Sequence, residues 1–597
     1  MKYERIVMGR FIDRPNRFIA HVDIDGITTK VHVKNTGRCR ELLQPGATVY
    51  LEKAKEKTRS TEYDLVCVHK LGTGLVNMDS QAPNKIIKEW LSEGNLYPDM
   101  TYLKPEYTLG NSRYDFYLET PDKKVLVEVK GVTLERNGVA SFPDAPSERA
   151  LKHIEGLIEH RKEGYETVII FCVQMENMSV VLPNEETQPE FALALQRAKE
   201  AGVKVVAVGC EVTLKEGKNE FLTIAVNPKG QIQVMYSLLE WMQFPLLSWY
   251  KKVGRTLPWR ENPTPYHVWV SEIMLQQTRV EAVKGYYHRF MEELPDIYEL
   301  SVASEERLLK LWEGLGYYSR VRNLQKAAKV VMEDYAGEMP EDYEELLKLP
   351  GIGSYTAGAI SSIAYQKKHP AVDGNVLRVA SRLLAEEKEL TDPVFKKSVE
   401  ERLLQLMSTE EPGNLNQALM DLGATVCIPN GMPHCDDCPL KEQCIAHRLH
   451  EELNFPKAKE KKERTKEYKT VLIIRDREKV AIVKRPSKGL LAGMYEFPSV
   501  SGQLKEKEVL SYVKGKGLSV LTIKSLPASK HIFTHKEWHM VGYRLQVDEL
   551  TPFSVEEQDL IFTDAKELTE KYPIPTAYKT YQSAFLEEVC YNAFVYK

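Results

Sequence analysis

Leu349-Pro350-Gly351-Ile352-Gly353-Ser354-Tyr355 sets two glycines one residue apart, between a helical pattern ending at Leu349 and another starting at Ser354. Glycine frees the backbone for a tight hairpin and leaves N–H groups bare at the start of the second helix, where a DNA phosphate can be held without any lysine. The stretch therefore reads as a helix-hairpin-helix, with Gly351 and Gly353 as phosphate-binding positions. Taken alone, it is equally a plain turn between helices.

Outward from the hairpin, residues 238–446 keep a nearly unbroken helical periodicity punctuated by Pro and Gly. Upstream, Trp269-Val270-Ser271-Glu272-Ile273-Met274-Leu275-Gln276-Gln277-Thr278 places Glu272 beside an apolar stripe that includes Trp269 and Ile273. Such a carboxyl is partly desolvated, its pKa rises, and it can donate a proton at neutral pH. Downstream, Ala371-Val372-Asp373-Gly374-Asn375-Val376 puts a carboxylate in the turn before a helix, a position that also suits a plain N-cap. Then Cys427-x7-Cys435-x2-Cys438-x5-Cys444 gathers four thiols, while the other cysteines of the nine are scattered. Clustered thiolates of this kind mean a metal site: the short final loops favour a 4Fe-4S cluster, and zinc stays open on ligand type.

These motifs, with Leu257-Pro258-Trp259-Arg260 and Gly314-Leu315-Gly316-Tyr317-Tyr318-Ser319-Arg320, resemble the helix-hairpin-helix DNA glycosylases of the endonuclease III superfamily, and within it the MutY-type adenine glycosylases. The resemblance implies that Glu272 protonates adenine at N7 and that Asp373 stays ionised and stabilises the cationic sugar, with Tyr355 and Asn375 orienting them. It implies wedge roles for Gln277 and Tyr317, phosphate contacts for Arg260, Arg320 and Arg322, and a 4Fe-4S cluster on Cys427, Cys435, Cys438 and Cys444. The first cysteine spacing departs from the family, seven residues instead of the usual six. Bifunctional members carry a nucleophilic lysine where this chain has Tyr355, so base excision without efficient strand cleavage is expected.

Near the C-terminus, Arg485-Pro486-Ser487-Lys488-Gly489-Leu490-Leu491-Ala492-Gly493-Met494-Tyr495-Glu496-Phe497-Pro498 resembles the opening of Nudix-fold domains. The glutamate-rich Mg²⁺-binding helix of Nudix hydrolases is missing from residues 499–518, so hydrolysis is not expected. In MutY-type enzymes such a domain recognises 8-oxoguanine through a Phe-Ser-His loop, matched here by Phe533-Thr534-His535.

Residues 1–228 resemble the SfsA (sugar fermentation stimulation) family through Asn35-Thr36-Gly37-Arg38, Arg113-Tyr114-Asp115-Phe116-Tyr117-Leu118, Val127-Glu128-Val129-Lys130-Gly131 and Phe142-Pro143-Asp144-Ala145-Pro146-Ser147. That family joins an OB-like barrel to a domain of the PD-(D/E)xK nuclease type. Read from the residues, Asp115 on one strand and Glu128 and Lys130 on the next bring two carboxylates and an amine to one face. This group can hold Mg²⁺ and activate water at a phosphodiester. The same pattern also arises on solvated strand faces.

The expected order is an OB-like β-barrel over residues 1–80, a mixed α/β PD-(D/E)xK-like domain over 81–230, an all-α helix-hairpin-helix domain with an iron-sulfur loop over 236–448, a charged connector over 449–468, and an α+β Nudix-like domain over 469–597. A length of 597 residues at 43% hydrophobic and 28% charged fits several globular domains and excludes a fibrous or wholly disordered chain. The net charge of −4 assigns any nucleic-acid contact to local basic patches. With no signal peptide or membrane span, a cytoplasmic monomer acting on double-stranded DNA, with adenine opposite 8-oxoguanine or guanine, is expected. A bifunctional glycosylase-lyase and a non-catalytic DNA-binding regulator are the alternatives.

Overall fold

The computed structural model describes every residue except 36, 56–59, 216–219, 459–462, 551–553, 556, 557, 596 and 597. The chain forms two compact units, Met1–Val253 with Gly374–Met407 and Ala418–Lys457, and Gly254–Asp373 with Ser408–Gln417 and Ala458–Lys597.

In the first unit the strands Ile6–Asp13, Ile19–Ile24, Ile27–Val33, Thr48–Lys53 and Tyr63–Lys70 form a five-stranded OB-like barrel. Parallel pairing of His32 with Asp64 and Val33 with Leu65 closes it. The closing strand Tyr63–Lys70 gives little period-two signal because both faces are covered. Leu65 and Val68 fill the barrel, and Val66 and Cys67 pack into the adjoining core.

The mixed α/β domain is a seven-stranded sheet whose middle strands Lys124–Val132, Glu166–Val173 and Lys204–Lys215 run parallel. The helices Glu148–Lys162 and Pro189–Glu200 connect them on one face, and Ala82–Ser92 covers the other through Ile86, Ile87 and Leu91. The Ser147 side chain accepts from the Ala150 N–H and starts the helix Glu148–Lys162. The same unit holds the helices Gly374–Leu384 and Pro393–Leu406 and all four clustered cysteines.

The second unit is helical from Pro265–Leu275 to Ser354–Ala359, around buried Trp269, Phe290, Trp312 and Val331. It then adds an α+β domain in which Thr465–Asp476 pairs in parallel with Lys536–Val547. Helix Lys579–Val595 covers one sheet face through Tyr581 and Phe585, and Glu506–Gly515 covers the other through Val509 and Val513. The strand Val520–Ile532 is defined by ladder bonds to Lys536–Val547 and not by an apolar pattern. The strand Thr465–Asp476 begins inside the span read as a connector, of which 459–462 lie outside the described residues. Among the described residues no helix is long and apolar enough to cross a membrane.

Candidate functional site

Helix Pro265–Leu275 opens with Thr264, whose side chain accepts from the His267 N–H, and buries nearly its whole length. Glu272 is only 5% exposed. Burial raises its pKa to about 7; the hydrogen bond donated by Tyr355 Oη to Glu272 Oε2 lowers it, the negative charge of Asp373 adds to the rise, and Arg260 opposes it. The carboxyl therefore carries its proton near neutral pH and can release it locally. Burial holds the Tyr355 phenol well above its usual pKa, so it stays a donor.

The hairpin explains how these groups meet. Gly351 has φ +82°, and a Cβ there would lie 2.8 Å from Asn323 Cβ. Gly353 is the N-cap of Ser354–Ala359, which carries Tyr355 and runs on as a π-turn, Ile360–Ala364. On that helix a Cβ at Gly358 would sit 2.1 Å from the Pro370 carbonyl oxygen, so only glycine admits the segment leading to Asp373. The motif reading did not single out Gly358. Asp373 is half-buried directly before Gly374–Leu384. Asn375, in the first unit, accepts from Arg378 Nη2 at 2.8 Å.

Gln277 (φ +57°) and Tyr317 (φ +47°) both sit in the left-handed region, uncommon for such residues. Tyr317 is 47% exposed. Two expectations are corrected here. Arg320 is not an open phosphate contact: its guanidinium donates to the carbonyls of Ile273 (2.7 Å), Met274 (3.2 Å), Gln276 (2.6 Å), Leu315 (3.1 Å) and Gly316 (3.1 Å). It joins the end of the Glu272 helix to the turn that carries Tyr317. Arg322 is likewise engaged, by Glu305 at 2.6 Å and by the Ala492 carbonyl. Five scattered carbonyls leave no sequence pattern, which is why a basic residue in a motif read as a phosphate ligand. Arg260 donates to the Arg255 carbonyl at 3.2 Å and places its charge near Glu272.

Phe533, Thr534 and His535 form the tip of the hairpin between Val520–Ile532 and Lys536–Val547, closed by the Phe533 N–H to Lys536 carbonyl bond of 2.8 Å. Phe533 packs edge-on against Trp538 at 4.8 Å, which leaves Thr534 and His535 exposed. Thr534 Oγ1 is 2.8 Å from Tyr317 Oη.

Among the cysteines, Cys427 is buried and Arg382 Nη1 lies 3.3 Å from its Sγ. Burial raises the Cys438 pKa to about 12, and the charges of Cys427, Cys444 and Cys435 add to it, so the four sulfurs converge. Four converging thiols with a guanidinium alongside fit an iron-sulfur cluster: bound iron would stabilise the thiolate forms that burial and mutual repulsion disfavour in its absence. The seven-residue loop turns at Gly431 and is closed by the His434 N–H to Val426 carbonyl bond of 2.9 Å. His447 and Glu452 join Cys435 in a donor group within 4.8 Å that the spacing did not reveal.

In the α/β domain Asp115 Oδ1 accepts from Asn84 Nδ2 at 2.8 Å and Oδ2 from the Val129 N–H at 2.7 Å. Lys130 Nζ lies 2.7 Å from Glu128 Oε1. Helix Glu148–Lys162 adds His153, whose Nδ1 meets the same Glu128 oxygen; as one histidine in a buried helical stripe, it gave no signal in the sequence. Glu128 Oε2 is buried with no hydrogen-bond partner among the described residues. Burial, then the Glu128 charge, raises the Asp115 pKa. An orphaned carboxylate oxygen beside a second, repelling carboxylate fits a hard divalent cation.

Four family models match: an SfsA N-terminal OB domain over residues 12–78, a sugar fermentation stimulation protein RE domain over 81–216, an HhH-GPD superfamily base excision DNA repair protein over 270–405 and a NUDIX domain over 470–584. A sugar fermentation stimulation protein homolog of Ruminiclostridium cellulolyticum is 51% identical over 36% of this chain and 93% of its own. The adenine DNA glycosylase of Rattus norvegicus is 34% identical over 62% of this chain and 81% of its own. The chain belongs to both the SfsA and the adenine DNA glycosylase families. The Homo sapiens adenine DNA glycosylase is 35% identical over 51% of this chain and 67% of its own. In this chain the HhH-GPD match takes in Glu272, Tyr355, Asp373 and Asn375, and the NUDIX match takes in the Thr534 hairpin. Its SfsA half contains Asp115, Glu128 and Lys130 within the RE-domain match.

Proposed function

We propose that the protein removes adenine paired with 8-oxoguanine or guanine in double-stranded DNA, without an efficient strand-cleaving step. The observation that carries this is Glu272: a buried carboxyl with a pKa near 7, bonded by Tyr355 and close enough to Asp373 to feel its charge. Adenine leaves only after a ring nitrogen is protonated, and the sugar becomes cationic, so the reaction needs one neutral acid and one anion. Glu272 delivers its proton to adenine N7. Asp373 stays ionised against the sugar, directly or through a transient adduct, while Tyr355 holds Glu272 and Asn375 orients the turn. The adenine must first leave the stack. Gln277 and Tyr317 wedge into the duplex, Thr534 and His535 read the opposite base, and Gly351, Gly353 and Arg260 serve the backbone.

Cys427, Cys435, Cys438 and Cys444 would hold a 4Fe-4S cluster, which supplies a covalent cross-link of the segment and no acid-base chemistry. Asp115 and Glu128 would hold Mg²⁺, which supplies Lewis acidity and an activated water at a phosphodiester, while Lys130 and His153 fix Glu128. For the SfsA half this supports DNA binding with a nucleolytic role.

The test is single-turnover excision from duplexes with adenine opposite 8-oxoguanine. Glu272→Gln should bind the duplex and lose at least ~10²-fold in rate. Near-normal excision would remove Glu272 from the mechanism, and a borohydride-trapped adduct would restore the bifunctional reading.

A further inference from the structure

The SfsA half and the cysteine segment lie in one compact unit, and their contact is polar and specific. The hairpin turn Asn137-Gly138 links Leu134–Arg136 to Val139–Phe142, with φ +49° and +79° at the two residues, the geometry of a tight two-residue turn. Its base is fixed from the barrel: Thr73 Oγ1 donates to buried Glu135 at 2.6 Å, and Lys70 pairs with the same carboxylate. The tip is turned to the cysteine segment. Asn137 Nδ2 donates to Glu442 at 2.5 Å, and Gln443 Nε2 donates to the Arg136 carbonyl at 3.1 Å. Gln443, immediately before Cys444, is 2% exposed, and the SfsA hairpin supplies the partner that a buried amide requires. Four residues past Cys444, Arg448 pairs with Glu186, which also takes Arg136 at 3.5 Å.

Beside Glu186, buried Glu185 makes a second anchor. It accepts from Ser237 Oγ at 3.0 Å and the Leu238 N–H at 2.7 Å, and it pairs with Arg402 at 2.6 Å. The loop before helix Pro189–Glu200 thus grips the helix Pro393–Leu406 and the segment after Cys444 with neighbouring carboxylates. A pair of independent modules joined by a linker would have no use for a buried glutamine and a shared carboxylate at this seam.

We propose that the SfsA half is a clamp on the iron-sulfur segment, with the Arg136–Gly138 turn and Glu186 as the gripping surface and residues 442–448 as its partner. The clamp restrains the backbone that carries Cys438 and Cys444, so retention of the cluster depends on the SfsA half. This rests on the reading of the four cysteines as an iron-sulfur site, and the test separates the two.

The test uses the full chain with Glu186→Arg, Arg448→Glu and the double variant. Amide hydrogen exchange over residues 436–450 and loss of visible absorbance to an iron chelator are followed. Each single variant should speed both by about three-fold, the scale of a partly exposed ion pair. The double variant restores opposite charges and should return both rates toward those of the unchanged protein. Unchanged rates in the singles, or a double variant as fast as the faster single, would overturn the clamp. Were the purified protein to contain no iron, the cysteine reading would fail, and the exchange rates alone would still decide for or against the clamp.

Discussion

Tyr317 Oη and Thr534 Oγ1, 217 positions apart in sequence, are hydrogen-bonded at 2.8 Å. One belongs to the turn after a helix of the HhH-GPD region, the other to a hairpin tip of the NUDIX domain, and both side chains are exposed. Lys484 with Glu306 (2.8 Å) and the Ile574 N–H with Glu313 (2.9 Å) join the same two regions. Tyr317 and the Thr534 hairpin therefore form one surface.

Thr534→Val removes this hydroxyl at nearly constant volume. The preference for 8-oxoguanine over guanine opposite adenine should fall by roughly 1–3 kcal/mol, the cost of a hydrogen bond lost where the bound duplex covers the loop. The ratio of excision rates on the two duplexes measures it. An unchanged ratio would take Thr534 out of recognition.

Glu272 has its pKa raised to about 7 from an ordinary carboxyl value of 4.5. Excision should fall about ten-fold per pH unit above pH ~7 as the acid deprotonates. Tyr355→Phe deletes a bond that lowers this pKa, so the alkaline limb should move to higher pH. For stability the sign is the reverse of an ordinary ion-paired carboxylate: the raised pKa favours the folded state at low pH, and that advantage is lost as pH rises through about 7. Glu272→Gln should therefore have an unfolding free energy higher than that of the unchanged protein at pH 8, by on the order of a few kcal/mol, and gain little at pH 5. Equal differences at both pH values would contradict a buried, protonated Glu272.

Arg320→Lys keeps the charge and loses the planar fork that serves five carbonyls. Unfolding stability should drop by roughly 2–4 kcal/mol, with the salt dependence of DNA binding almost unchanged. A phosphate contact would give the opposite pattern, intact stability and a salt slope smaller by about one.

Mg²⁺ or Mn²⁺ should support nicking of single-stranded or duplex DNA by the full chain carrying Glu272→Gln, and Asp115→Asn should abolish it. Equal nicking by both proteins would point to a contaminant, and none with either metal would leave the SfsA half a binding module.

The sequence by itself determined the parts whose chemistry is local. Gly351 and Gly353 are needed by a turn of a few residues, Cys427 to Cys444 are close because the loops between them are short, and Glu128 and Lys130 share a face through strand alternation. Tertiary structure alone decided what depends on groups distant along the chain. Whether Glu272 is a buried, protonated carboxyl or a surface carboxylate turned on its burial and on Tyr355, 83 positions away. Arg320 became a staple because two chain segments aim five carbonyls at one point, and Gly358 mattered because the segment before Asp373 passes against it. His153 and the Gln443 seam were likewise illegible, since each is one polar residue whose partner comes from another element. Hydrogen bonds and desolvation act through space, and a motif records only the half of each contact that lies within it.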